Sequence, residues 1–175
     1  MSIIEGWEIS PDCVDMYEKV ASTEPLGNPI ITSKCKLKEV GAATTDFGDG
    51  FLIVSDNGFA WKRRVGFDIT GITYMSRKKW KGKWIRWHDI ANIVPIKPVK
   101  KGQIRVHIKK RKEGAIILNK KGNYKLIKWK LTINRNKAEE KSHFKQRRTN
   151  FGEIMLDTFK QKRVEIDPPS SDSRM

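Results

Sequence analysis

FLIVSDNGFAWKRR, Phe51–Arg64, decides how this chain is read. Two apolar, β-prone runs flank Asp56-Asn57-Gly58, a triplet that supplies the positive-φ residues of a tight turn, so the stretch reads as a β-hairpin. Working outward, Ile30–Val40 alternates: Ile31, Ser33, Cys35, Leu37 and Glu39 share one face, while Thr32, Lys34, Lys36 and Lys38 share the other. That is a half-buried strand with lysines outward. Gly41–Gly50 between them reads as a loop from its glycines, threonines and aspartates. Downstream, Phe67–Met75 is β-prone. Trp84–Ile96 carries Ile85, Trp87, Ile90 and Ile93 before Pro95 stops it, with Ile85 and Trp87 expected to point into the core. Gln103–Lys109, Ala115–Asn119 and Tyr124–Ile133 follow, the last two flanking a second turn at Lys120–Asn123. In the final strand Ile127, Trp129, Leu131 and Ile133 face one way and Lys128, Lys130 and Thr132 the other. The middle of the chain is therefore a meander of about seven short antiparallel strands.

After Asn134 the period changes. Phe144, Phe151, Ile154, Met155 and Phe159 make the stripe of one amphipathic helix, weakened at Gly152. The Pro/Ser/Asp-rich residues 164–175 read as a disordered tail or linker, the end of one module of a longer protein. Residues 1–29 read as a loosely packed extension, with a short helix at Cys13–Val20 capped by Asp12. A single domain over 30–163 remains.

The chain has 175 residues with 36 Lys+Arg against 20 Asp+Glu, a net charge of +16. The excess is concentrated: residues 1–61 carry 4 basic and 10 acidic residues, residues 62–175 carry 32 and 10. A field of +22 on one stretch recruits phosphate-rich partners, nucleic acid or anionic lipid headgroups. Two cysteines, Cys13 and Cys35, are too few for a disulfide framework and have no metal or redox spacing, which fits a reduced, cytoplasmic setting. No run of eighteen apolar residues exists, so membrane contact is expected to be peripheral. No catalytic motif assembles around His88, His107 or His143. No enzyme, metal or cofactor is expected.

Seven strands and a closing helix resemble the pleckstrin-homology (PH) superfold, a bent antiparallel sheet or partly open barrel capped by one C-terminal helix. Gly48–Arg64 (GDGFLIVSDNGFAWKRR) is similar to the second and third strands of PH-like families, with Trp61 in their tryptophan position. Trp84–Ile96 is similar to the later strand of GRAM and GLUE members. The GLUE domain of ESCRT-II looks most similar, which implies a non-enzymatic trafficking adaptor whose partners are ubiquitin, phosphoinositides and other ESCRT subunits. Two departures stand out. Gly58 replaces the usual Arg, and Asp46 and Asp49 occupy the first loop where the usual lipid pocket has basic residues.

The basic clusters therefore carry the expected site. Arg77, Lys78, Lys79, Lys83, Arg86 and Arg105 are the candidates for an anionic headgroup or phosphate. Arg77–Lys83 reads as an exposed loop with Lys81-Gly82 at its tip and Trp80 as the membrane wedge. The alternative is a nucleic-acid-binding β-domain using the same face, with Trp80, Trp84 and Tyr74 stacking on bases.

Overall fold

The Phe51–Arg64 stretch forms its hairpin in a computed structural model of the protein, which describes residues 18–22, 24–65, 68–69, 72–73, 79–97, 102–135, 139–166 and 170–171. Strands β1 (Pro29–Val40), β2 (Thr45–Ser55) and β3 (Gly58–Val65) come first. Phe51 to Ser55 pair with Lys62 to Gly58. The turn works differently from its sequence reading, because neither Asp56 nor Asn57 has a positive φ. Both instead clasp residues 25–28: Asn28 N donates to Asp56 Oδ2 at 2.9 Å and Asn57 Nδ2 donates to the Pro25 carbonyl at 2.7 Å. The loop before β2 is also shorter than expected, since Thr45–Gly50 is already strand.

The chain divides into two compact units, one of residues 1–35 and 49–85, the other of 36–48 and 86–175. Their boundaries fall inside the long β1 and β2. In the first unit β1, β2, β3 and β6 (Lys79–Arg86) are neighbours in that order. Phe67–Met75 contains a minimal hairpin, β4 (Asp68–Ile69) against β5 (Ile72–Thr73), where one strand was expected. Val20, Leu26, Ile53 and Ala60 form a buried cluster. Residues 18–21 are helical, and Val20 and Leu26 are 3 % and 2 % exposed. This part of the N-terminal extension is therefore core, not loose packing. The rest of the expected helix at Cys13–Val20 lies outside the described residues. Trp61, 3 % exposed, donates its indole N–H to the Cys35 carbonyl at 2.8 Å, which satisfies the one polar atom of a buried ring.

The reading of Arg77–Lys83 as a loop is corrected at its second half: β6 starts at Lys79, and Lys81-Gly82 lies inside it. Gly82 is there for close approach. A Cβ at that position would collide with the Trp61 carbonyl oxygen and lie 2.8 Å from Lys62 Cα, so only glycine lets β6 pass β3.

The second unit contains β7 (Ile90–Lys97), β8 (Gln103–Lys109), β11 (Leu126–Ile133) and the helix α1 (Lys141–Gln161), with the short β9 (Arg111–Lys112) and β10 (Ala115–Ile116) between β8 and β11. β7 pairs antiparallel with β8, and β8 with β11. Pro95 does not stop β7 but pairs opposite Ile104. Seven long strands followed by one long helix make the chain mainly β, in the element order that the PH-like resemblance implies.

Helix α1 runs through Gly152 unbroken and buries Arg147, Phe151, Gly152, Met155, Thr158 and Phe159, spacings of one, three and four that keep them on one face. Phe151, Met155 and Phe159 are fully buried, each worth about 1.5–3 kcal/mol of burial. The expected stripe is right in register but wrong at Phe144 and Ile154, which are half-buried. The helix closes with Arg163 in the left-handed region (φ 58°), the Val164 N–H reaching the Phe159 carbonyl at 2.9 Å. That turn brings β12 (Glu165–Ile166) and β13 (Ser170–Ser171) alongside β7 in parallel. Residues 164–166 and 170–171 are thus ordered parts of the unit, where an unpacked tail was expected; backbone pairing needs no apolar side chains.

Candidate functional site: a cationic sheet face

Alternation in β8 separates its side chains. Ile104, Val106 and Ile108 are buried, whereas Gln103, Arg105, His107 and Lys109 share the other face and are half-buried. The register with β11 sets Arg105 opposite Lys130, His107 opposite Lys128 and Gln103 opposite Thr132. From β7, Val94 flanks Arg105 and Asn92 flanks His107. Cross-strand partners lie on one face with Cβ atoms about 5 Å apart, and like charges placed so are unfavourable.

Burial aggravates the repulsion. Lys130 was expected to point outward but is only 8 % exposed. Nε and Nη2 of Arg105 and Oε1 of Gln103 are buried without a hydrogen-bond partner. A desolvated donor left unpaired costs about 1–3 kcal/mol, more when charged. An oxyanion seated on the guanidinium would pair both donors and offset the Arg105–Lys130 repulsion.

The remaining expected residues are placed as follows. Arg77, Lys78 and Tyr74 lie outside the described residues. Lys79 and Trp80 open β6, with their side chains outside the described set. Lys83 and Arg86 are exposed on the same strand, Lys83 within the first unit and Arg86 within the second. Of the expected residues that are described, Arg105 sits in the face just described; its companions Lys128 and Lys130 read from the sequence as basic residues on the outward face, and His107 as a histidine with no catalytic motif around it. Their signal was the two-residue spacing on two strands joined by one hairpin.

The tryptophans are mostly structural. Trp84, expected to be available for stacking, is half-buried against the cluster of Ile53 and Ala60. Trp87 lies in a 3-10 turn, Trp87–Asp89, edge-on to Phe159 at 5.2 Å, and not in a strand. Trp129 is 2 % exposed, as its register predicts. The exposed large apolar side chains among the described residues are instead Leu118 and Tyr124, 52 % and 47 % exposed.

Both belong to an arm between β8 and β11. Its base is closed by three backbone bonds, Lys110 N to Lys125 O, Ile117 N to Lys110 O and Lys125 N to Ile117 O, all 2.8–2.9 Å. Its outer turn is held by Asn119, whose Oδ1 accepts from Lys121 N and Asn123 N. Arg111 fastens the arm to the turn before β7 through Asp89, with Nε and Nη2 donating at 2.8 and 2.6 Å. Near the start of the chain the charge logic is opposite. Asp46 lies 3.3 and 3.7 Å from the Lys36 and Lys38 ammonium groups. The Gly48 N–H bond, followed by Lys36 and Lys38, holds its carboxyl below the ordinary aspartate value.

Among the described residues no three His, Cys, Asp or Glu side chains gather closely enough to hold a metal ion, and no helix is long and apolar enough to cross a membrane. No family model matches the chain, and no curated protein matches it. Among solved structures the chain is similar to the Ran-binding domain of the nuclear pore complex component NUP2 from Ashbya gossypii. The identity is 13% and the TM-score 0.40, covering 78% of this chain and 96% of that one.

Proposed function

We propose that the chain is a non-enzymatic adaptor module of a membrane-trafficking system, ESCRT-II-like, that binds anionic phospholipid headgroups from the cytoplasmic side as a peripheral protein. The observation that carries this reading is the unpaired, buried guanidinium edge of Arg105 beside Lys130. Two parallel N–H donors fit a phosphate as they fit a carboxylate; the surrounding excess of cations favours the more highly charged phosphate, which would reach the guanidinium once this half-buried side chain turns outward. Lys83 and Arg86, with Arg77, Lys78, Lys79 and the wedge Trp80, are carried in the proposal as further headgroup contacts. Ubiquitin and other ESCRT subunits are the protein partners, on the resemblance alone.

Flotation with phosphatidylcholine vesicles, with and without an anionic phosphoinositide, tests the reading. Binding should require the anionic lipid, and Arg105→Ala should weaken it about 10- to 100-fold, the worth of a hydrogen bond to a charged group. Arg105→Lys should recover only part, since an ammonium cannot make the two-pronged contact. Equal binding by Arg105→Ala overturns that contact. A titration of labelled ubiquitin to millimolar concentration without shifts removes the protein half. Nucleic acid is the second reading, favoured by the same charge; it predicts tight, steeply salt-dependent binding of oligonucleotides and none of vesicles.

A further inference from the structure

The arm between β8 and β11 has no role in the headgroup contact at Arg105, yet it concentrates charge and exposed apolar surface. Lys109–Lys125 contains seven cationic residues and one acid, Glu113. Arg111 is committed to Asp89, while Lys110, Lys112, Lys120, Lys121 and Lys125 are exposed. Leu118 and Tyr124 pair directly in an antiparallel bridge, which puts both side chains on one face of the arm. Two large apolar side chains exposed on a hydrogen-bonded arm that also carries five exposed lysines call for a covering surface that is itself apolar and negative.

We propose that this arm is a membrane anchor: its Leu118/Tyr124 face enters the headgroup–acyl boundary of an anionic bilayer while the five lysines lie on the lipid phosphates. The inference rests on the membrane reading above and names a second contact for it. Three observations favour a bilayer over a nucleic acid. Leu118 has neither a ring to stack nor a hydrogen bond to offer. Tyr124 is the exposed aromatic among the described residues, whereas a base-stacking track needs several. One face of its ring is already covered by the Lys109 ammonium, 4.8 Å from the centroid. Tyrosine at the headgroup level, an aliphatic residue beside it and surrounding lysines are what an anionic interface rewards. The arm begins about 13 Å along β8 from Arg105, at roughly 3.3 Å per residue, so the two contacts can be removed separately.

The test uses the full chain and phosphatidylcholine vesicles with and without phosphatidylserine. Leu118→Ser/Tyr124→Ser should lower partitioning at least about ten-fold at unchanged thermal stability, because both side chains are exposed. Lys120→Glu/Lys121→Glu should lower it further at low salt than at high salt. Leu118→Cys in a Cys13→Ser background, labelled with an environment-sensitive fluorophore while Cys35 stays buried, should blue-shift on anionic vesicles only. Vesicle binding by the wild type that Leu118→Ser/Tyr124→Ser retains in full, or a label that does not shift, overturns the anchor and leaves the membrane reading standing. A wild type that binds oligonucleotides and no vesicles overturns both.

Discussion

Replacing Glu139 by alanine should destabilise the protein more than any surface change of equal size. Glu139 and Arg147 are 7 % and 4 % exposed. The guanidinium is held in two-pronged fashion, Nε to Oε1 at 2.7 Å and Nη2 to Oε2 at 2.8 Å, and Nη2 also donates to the Asn134 carbonyl at 2.8 Å. His143 Nδ1 is 3.0 Å from Oε1 as well. The carboxylate therefore sits where the chain enters α1, at the positive end of the helix, and ties the first two turns to the segment after β11. Glu139→Ala leaves Arg147 charged, desolvated and bound only to one carbonyl of those partners. Breaking a buried pair from one side costs about 3–5 kcal/mol. At about 2–4 °C per kcal/mol for a chain of this size, the melting temperature falls by roughly 6–20 °C. Circular dichroism melts, with urea unfolding for the free energy, measure it. Replacing both by methionine should recover most of the loss, because the cost lies in the orphaned charge and not in the absent attraction. A Glu139→Ala shift under about 2 °C, or a double variant worse than the single, would refute the reasoning.

Two further outcomes follow from local geometry. Gly82→Ala should cost about 3 kcal/mol, since its Cβ meets the backbone of Trp61 and Lys62, whereas Gly114→Ala, with nothing within 4 Å and only its φ of 82° to strain, should cost about 1 kcal/mol; urea midpoints compare the two, and equal costs would mean that β6 does not pass β3 so closely. Asp46 should titrate below 3.8 by NMR. A depressed folded value means its contribution is present above 3.8 and is lost as pH falls through that lower value, so Asp46→Asn should lose that contribution at neutral pH, leave stability below that value nearly unchanged and flatten this acid-side dependence.

The sequence made local order legible and distant order opaque. The buried faces Ile31, Cys35, Leu37 and Trp129, Leu131, Ile133, the position of the turn at Asp56-Asn57 and the Phe151–Phe159 stripe are set by neighbours within a few positions, so period and turn composition place them, though not the burial of Thr32 on the opposite face. Gly82 was read as a tip because glycine marks turns more often than crossings; only the carbonyl of Trp61, twenty-one positions away, tells the two apart. Alternation puts Lys130 on the outward face, and nothing local marks Glu139 as buried; the burial of both depends on partners that no window contains. Leu118 and Tyr124 fall in stretches that read as strands, and their β-prone character does not reveal that the arm leaves both in water. Arg105 was chosen for its charge, and what singles it out, two unpaired N–H groups opposite a second cation, exists only once β8 and β11 are in register.

The two short parallel pairings made by residues 165–166 and 170–171 also govern how the protein behaves among its own copies. They occupy the outer backbone groups of Ile90–Lys97, an eight-residue strand of sequence IANIVPIK. Without that cover the outer hydrogen-bonding groups of the strand would be open to pairing with another chain, blunted only by the bulge near its start and by Pro95 and Lys97. The covering strip, Glu165-Ile166 and Ser170-Ser171, is made of two-residue pieces, too short to recruit another copy in turn. The few residues after the helix thus also act as a cover over a sheet edge that another copy could otherwise pair with.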